Sequence, residues 1–264
     1  MPNKKQKMGM ADLHIHSSFS DGISSVEEIL EFVEHHTDLD VIAVTDHDTI
    51  EGGFIARELA AQRNYRFQVI VGSEVTTTQG HLLTLFVENP VPSWRSLANT
   101  MEAVRAQGGI SVVPHPMSWL TPSIGQTSLD KVHHQTNGEP KFDALETSNP
   151  TVAAKVSRVR VRKLNHRLYR LPETGGSDAH LASWVGQSLT LFEGQTVEDL
   201  RRSLLAGKIS SLIVPSRQLN GIQPWQVFRL VLQGLVIHPS RLASRLIRKA
   251  LRNKKGEDSS SLPL

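Results

Sequence analysis

The feature that most constrains this chain is a repeated placement of ionisable residues beside short apolar runs. Ala11–His16 reads as a strand that ends in His14-Ile-His16. Val41–Thr45 runs into Asp46-His47-Asp48, and Phe67–Gly72 into Ser73-Glu74. His81 opens the run to Val87 after a turn at Gly80, Ile110–Val113 leads to Pro114-His115, and the run starting at Thr174 leads to Asp178 and His180. Helical patterns separate these runs: Ser25–Glu34, where Ser25 and Glu28 have capping-box spacing, Gly53–Gln62, Leu97–Gln107, Val152–Tyr169 and Val197–Leu205. Phe142–Glu146 is a further short strand. Strands alternating with helices imply parallel βαβ units. Six or seven units over about 200 residues predict an α/β barrel rather than an open sheet. The C-terminal strand ends of such a barrel share one mouth, so these imidazoles and carboxylates are expected to converge there.

Spacing sharpens the chemistry. Residues i and i+2 of a strand face the same side, so His14 and His16 aim at one point, and Asp178 and His180 repeat the spacing. Asp21 follows in the loop after the first strand, next to Gly22. Imidazoles and carboxylates crowded at one mouth would repel or stay unsatisfied, a penalty that bound cations remove. The candidate metal ligands are His14, His16, Asp21, His47, Glu74, His81, His115, Asp178 and His180. The set exceeds the needs of one ion and suits two or three divalent ions. The chain has no Cys, so thiolate sites are excluded, and imidazole with carboxylate suits manganese, zinc or iron. Asp12, Asp46 and Asp48 read as supports that orient an imidazole or cap a helix. His35, His36, His133, His134, His166 and His238 read as ordinary surface or hydrogen-bonded residues. No glycine fingerprint of the dinucleotide-binding or P-loop kind is present.

In combination, the motifs Asp-Leu-His14-Ile-His16-Ser-Ser, Ser20-Asp21-Gly22, Thr-Asp-His47-Asp, Gly-Ser-Glu74, Gly-His81, Pro-His115-Pro and Gly-Ser-Asp178-Ala-His180 resemble the PHP (polymerase and histidinol phosphatase) family of metal-dependent phosphoesterases. The resemblance implies a distorted (β/α)7 barrel with a trinuclear site. It implies one ion on His14, His16, Glu74 and Asp178, a second on Glu74, His81 and His115, and a third on Asp21, His47 and His180. The implied reaction is hydrolysis of a phosphate monoester of a small molecule or nucleotide. A hydroxide between two ions would attack, because coordination lowers the pKa of water to about 7. Asp178 or a neighbouring histidine, His180 or His115, is the candidate donor of a proton to the leaving oxygen. Arg158 and Arg162, after Asn149, are candidates to grip a second phosphate, although a solvated basic helix face explains them equally well.

Three rival readings stay open. An amidohydrolase-like enzyme would use the same metals on a C–N bond. An exonuclease on short RNA or DNA would use the basic helices and show steep salt dependence. A metal-loaded regulatory module would bind without turnover.

The chain divides into a disordered tail (1–10), a hydrolase domain (11–213) and a basic amphipathic helical extension with a disordered end (214–264). Met1–Met10 lacks the apolar centre of a secretory signal. No window approaches roughly 18 uninterrupted apolar residues, so no spanning helix and a cytoplasmic location are expected. Met117–Pro140 reads as a long loop on the active face with room for one short helix. In the extension, Trp225, Phe228, Leu232, Leu235 and Val236 fall on one apolar face. Packing on the barrel is the favoured use of that face, with a peripheral membrane contact or a partner as the alternative. The net charge of +3 reflects basic segments at Arg158–Arg170 and Arg241–Lys255, which do not by themselves identify a partner. The expected partner is a small phosphorylated substrate, with nucleic acid less favoured.

Overall fold

The computed structural model of the chain describes residues 7–134 and 141–214. The extension over 215–264, with its apolar face and His238, and residues 1–6 and 135–140 lie outside the described residues.

Among the described residues, nine strands form one sheet: β1 (Met8–Ile15), β2 (Val41–Val44), β3 (Gln68–Thr77), β4 (Gly80–Leu85), β5 (Ile110–Val113), β6 (Ala144–Ser148), β7 (Glu173–Gly175), β8 (Ser188–Glu193) and β9 (Ile209–Ile213), in the order β7-β6-β5-β4-β3-β2-β1-β8-β9. The edge strands β7 and β9 lie against each other, so the sheet is nearly closed. Side chains fasten this seam. Ser148 Oγ lies 2.9 Å from Ser211 Oγ, the Ser188 hydroxyl donates to the Ser148 carbonyl at 2.7 Å, and the Gly175 N–H donates to Thr190 Oγ1 at 2.8 Å. The α/β barrel is thus as expected, but the all-parallel pairing is not. β3-β4-β5 and β1-β8-β9 are antiparallel, while β1-β2-β3 and β5-β6-β7 are parallel. A two-residue turn at 78–79 sends β4 back beside β3, and such a turn can only give an antiparallel pair.

The helices are α1 (Val26–His36), α2 (Glu51–Gln62), α3 (Leu97–Ala106), α4 (Gln126–His133), α5 (Val152–Lys155), α6 (Arg158–Leu164) and α7 (Val197–Leu205). The capping box at α1 forms as its spacing predicts: the Glu28 N–H donates to Ser25 Oγ at 3.2 Å, and the Ser25 N–H donates to Glu28 Oε2 at 2.7 Å. Ser25→Ala is expected to cost about 1 kcal/mol, read as a fall of roughly 2–4 °C in Tm for a domain of this size. The long helix expected over 152–169 is broken. Ser157 turns its hydroxyl to the Pro116 carbonyl at 2.7 Å, and Asn165–Tyr169 winds as a π-turn before Arg170. The 117–140 stretch does carry a short helix, α4.

Ala11, Leu13, Val41, Ala43, Ile70, Leu83, Leu85, Ile110, Val112, Ala144 and Phe192 pack together, joined by Leu200 and Leu204 of α7. A second cluster joins Ile15, Ile42, Val44 and Val69 to Val26, Ile29, Leu30 and Val33 of α1 and Ala56 and Ala60 of α2. β1 crosses from one cluster to the other through a bulge. Asp12 pairs with Ile42 and Ile15 with Val44, so β1 spends three steps where β2 spends two. The extra residue reverses the strand's parity, which places Ile15 with the helices and His14 and His16 on the opposite side. Among the described residues no helix is long and apolar enough to cross a membrane.

Candidate metal centre

All nine side chains singled out by sequence meet at one place. The antiparallel turn explains how His81 joins them: it begins β4, and the reversed strand starts at the mouth where β2 ends. Glu74 is the hub and is 1% exposed. Its Oε1 lies 3.0 Å from both His81 Nδ1 and His115 Nε2. Its Oε2 lies 3.2 Å from both His14 Nε2 and His16 Nε2 and 3.5 Å from His47 Nδ1. Each oxygen of one carboxylate therefore faces a different set of imidazoles, the arrangement of a bridging ligand. Asp178 Oδ1 is 3.6 Å from His14 Nε2 and 3.4 Å from His16 Nε2. Asp21 Oδ2 is 3.1 Å from His180 Nε2 and 3.6 Å from His47 Nε2.

Four sets have donor atoms within 4.8 Å of one another: His14-His16-Asp178, His16-Asp21-His180, His16-His47-Glu74 and Glu74-His81-His115. Two details fit cations. His14 Nε2 and His16 Nε2 face each other at 3.0 Å inside the protein, and His16 Nδ1 is buried without a hydrogen-bond partner. A buried orphan nitrogen is costly, and a cation between such nitrogens and carboxylates removes the cost. The outer nitrogens are already fixed. His115 Nδ1 sits 2.7 Å from Ser123 Oγ, and His180 Nδ1 sits 2.9 Å from the Asp178 carbonyl, which accepts its proton. Their Nε2 atoms are thus left to the site.

The backbone around the site is tightly specified. His115 (φ 29°) and Asp178 (φ 54°) both adopt left-handed conformations, which non-glycine residues hold only where the surroundings impose them. A Cβ on Gly22 would meet the His16 carbonyl oxygen at 2.4 Å, so the turn that returns Asp21 to the site needs glycine. Asp46 holds the same turn by accepting from the Ser17 N–H and hydroxyl and from the Ser20 hydroxyl, all at 2.7 Å. Asp12 accepts from the Ser177 and Gly186 N–H groups at 2.9 and 2.7 Å, and burial pushes its carboxyl up to about 6. Asp48 accepts from the Thr76 N–H and hydroxyl. These three aspartates thus hold loops in place.

Proton affinities follow from crowding. Burial works to strip His14 and His16 of their protons, but the surrounding carboxylates prevail. Asp178, Glu146 and Glu74 raise His14, and Asp178 and Glu74 push His16 up to about 10. Burial pushes His47 down to about 3. Glu74, although buried, stays well below the usual carboxylate range because His47, His81 and His14 surround it, and Asp21 does so beside His180 and His47. A raised histidine contributes stability that is full below its unfolded pKa of about 6.5 and is lost as pH climbs through about 10 for His16. A metal must displace that proton. Apparent affinity for zinc or manganese is therefore expected to rise with pH by up to about tenfold per unit for each proton displaced, and calorimetry in buffers of different ionisation enthalpy should show proton release near neutrality. Binding without proton uptake or release would contradict the assignment.

Comparison with known proteins places this geometry in a family. A PHP domain model matches residues 12–120, and a PHP-associated model matches 164–209. An uncharacterized protein of Methanocaldococcus jannaschii is 33% identical over 131 residues, which are 46% of this chain and 75% of that one. The chain belongs to the PHP family. Another curated relative is the phosphoribosyl 1,2-cyclic phosphate 1,2-diphosphodiesterase of Eggerthella lenta, 35% identical over 95 residues, 34% of this chain and 35% of that one; the chain thus spans about a third of that protein's length. Among solved structures, a two-domain Bacteroides vulgatus protein containing a predicted PHP-like metal-dependent phosphoesterase aligns with a TM-score of 0.63 at 17% identity, covering 79% of this chain and 65% of that one. As a PHP protein, the chain is a metal-dependent hydrolase acting on phosphate esters.

Sequence reading missed one residue of this PHP site. Glu146, 2% exposed, lies in the middle of β6 with His14 Nδ1 2.9 Å away. The same strand-end rule that found the other residues points to it: Ala144-Leu145-Glu146 is another apolar run closed by a carboxylate. Among the described residues, no hydrogen bond or ion pair joins either arginine singled out by sequence to the nine. Arg162 donates to Ser148 Oγ at 2.7 Å and lies 4.0 Å from Glu173, at the seam of the barrel, while Arg158 is half-buried at the start of α6.

Proposed function

We propose that the nine converging side chains hold two or three divalent ions and that the protein hydrolyses a phosphate ester of a small molecule or nucleotide. The observation that carries this reading is the two-sided Glu74 carboxylate, with one oxygen on His81 and His115 and the other on His14 and His16. His14, His16, Glu74 and Asp178 would hold one ion, Glu74, His81 and His115 a second, and Asp21, His47 and His180 a third. Manganese, zinc and iron all suit such donors. Bound ions supply Lewis acidity toward phosphoryl oxygens and lower the pKa of water.

The chain's own groups do the rest. Asp178 is held as a carboxylate because His14, His16 and His180 outweigh its burial, so it suits metal capture rather than proton donation. His180 is the more exposed of this group, with 21% of its side chain accessible, which leaves its ring nearest to an incoming ester. Arg158 and Arg162 remain candidates for a second anionic group on the substrate. The basic run Arg158, Arg160, Arg162, Lys163 and Arg167 on α6 and the π-turn favours one alternative, an exonuclease on short RNA or DNA.

The test is a phosphate-release screen of protein loaded with manganese, zinc or iron, using nucleoside monophosphates and bisphosphates, sugar phosphates, a cyclic phosphodiester and short oligonucleotides. Release from a monoester or small diester is the expected result. Hydrolysis of amides or lactones without any phosphate release would overturn the reading. Turnover of oligonucleotides alone, with steep salt dependence, would select the alternative.

A further inference from the structure

We infer that Glu146 is a positioning residue that couples two of the metal subsites, setting the ring of His14 in one and the backbone of His115 in the other. The inference rests on the metal-binding reading proposed above.

The geometry is divided between the two carboxylate oxygens. Oε1 lies 2.9 Å from His14 Nδ1. Oε2 accepts the His115 N–H at 2.9 Å and the Asn149 Nδ2–H at 2.7 Å. Asn149 in turn places Nδ2 3.5 Å from Asp178 Oδ2 and accepts the Thr151 N–H at 2.9 Å. His14 and His115 belong to different donor sets, so one buried side chain supports a residue in each. The bond to Nδ1 leaves His14 Nε2 as the atom directed at His16 and Glu74. The bond to the His115 amide fixes a backbone that already holds the uncommon φ of 29°.

The surrounding structure reserves space for this pair. A Cβ at Gly176 would stand 2.4 Å from Glu146 Oε1 and 2.5 Å from His14 Cβ. Any larger residue there would push the carboxylate off the imidazole.

Glu146→Gln is an informative change because it keeps the shape. The wild-type carboxylate accepts on both oxygens, whereas an amide has one acceptor oxygen and one NH2. If the NH2 faces His14, the ring must accept at Nδ1 and carry its proton on Nε2, where a metal needs a lone pair. If the NH2 faces His115, two donors oppose each other. In either rotamer one subsite is damaged.

Metal binding to full-length wild type, Glu146→Gln and Gly176→Ala should be followed by chelator competition with zinc, with Tm and circular dichroism of the metal-free proteins as the check on folding. Both variants are expected to fold and to bind zinc about 10–100-fold more weakly, the range seen when an outer partner of a metal-bound histidine is lost. Unchanged zinc affinity in folded Glu146→Gln, with or without a lower Tm, would overturn the inference by showing a purely structural role. If Glu146→Gln does not fold, Glu146→Asp, which keeps the charge but draws the carboxylate back from His14 and His115, decides by the same criterion. Failure of the wild type itself to bind zinc would overturn the metal-centre reading on which the inference rests.

Discussion

Glu74→Ala is expected to lower turnover of any phosphate ester by at least about a thousandfold. The side chain touches His14, His16, His47, His81 and His115 at 3.0–3.5 Å, so its loss removes the shared ligand of two donor sets together. Metal ions contribute several kcal/mol of transition-state charge stabilisation, and each 1.36 kcal/mol is about tenfold in rate; disabling two subsites therefore costs about three decades or more. The substitution leaves the apolar clusters around the strands intact, and circular dichroism with Tm checks the fold of the variant. Steady-state kinetics at saturating metal, with bound metal measured on the same sample, provide the check. Activity within tenfold of wild type would refute the bridging role.

Chelation should have an equally large effect, on stability as well as on rate. Stripped of metal, the protein must bury Glu74, Asp21 and Asp178 beside imidazoles that rely on protons for balance. A ligand present at 100 times its Kd adds about 2.7 kcal/mol to stability, which for a domain of this size raises Tm by roughly 5–10 °C. Treatment with a chelator is expected to abolish turnover and lower Tm by about that amount, and re-addition of manganese, zinc or iron should restore both. A Tm indifferent to chelation and reloading would mean that these side chains do not share ions.

Much of the site was legible because it follows a rule of position. Ionisable residues at strand ends must meet if the strands form a barrel, and His14, His16, His47, His115, Asp178 and His180 obey it; Glu74 falls inside β3, because that strand runs on to Thr77 past its last pairing with β2. His81 lies at the start of its strand, and it joins the others because β4 runs backwards, a direction that apolar periodicity does not record. β8 and β9 escaped notice for a related reason. Ser188–Glu193 and Ile209–Ile213 are short and rich in hydroxyls, and their Ser and Thr side chains serve the barrel seam. The helix expected over 152–169 broke where Ser157 and Asn165 found partners far from their own turn, at Pro116 and at Leu171 and Glu173. Such tertiary bonds leave no local trace. The β1 bulge that turns His14 and His16 together is likewise invisible in the residues themselves, because its cause lies in the pairing with β2.

The hydroxyl fastening between β6, β8 and β9 works like a clasp on a ring, and a ring opens first at its clasp. Backbone amides of Glu173–Gly175 and Ile209–Ile213 should exchange with deuterium ahead of those in β2 and β3, which have paired neighbours on both sides. The segment that carries Asp178 and His180 leaves directly from the end of β7. Parting the clasp would draw those two residues away from the ones contributed by β1 and β3. Cations held across that junction would therefore act as a rivet, and exchange at β7 should slow as the ions are added.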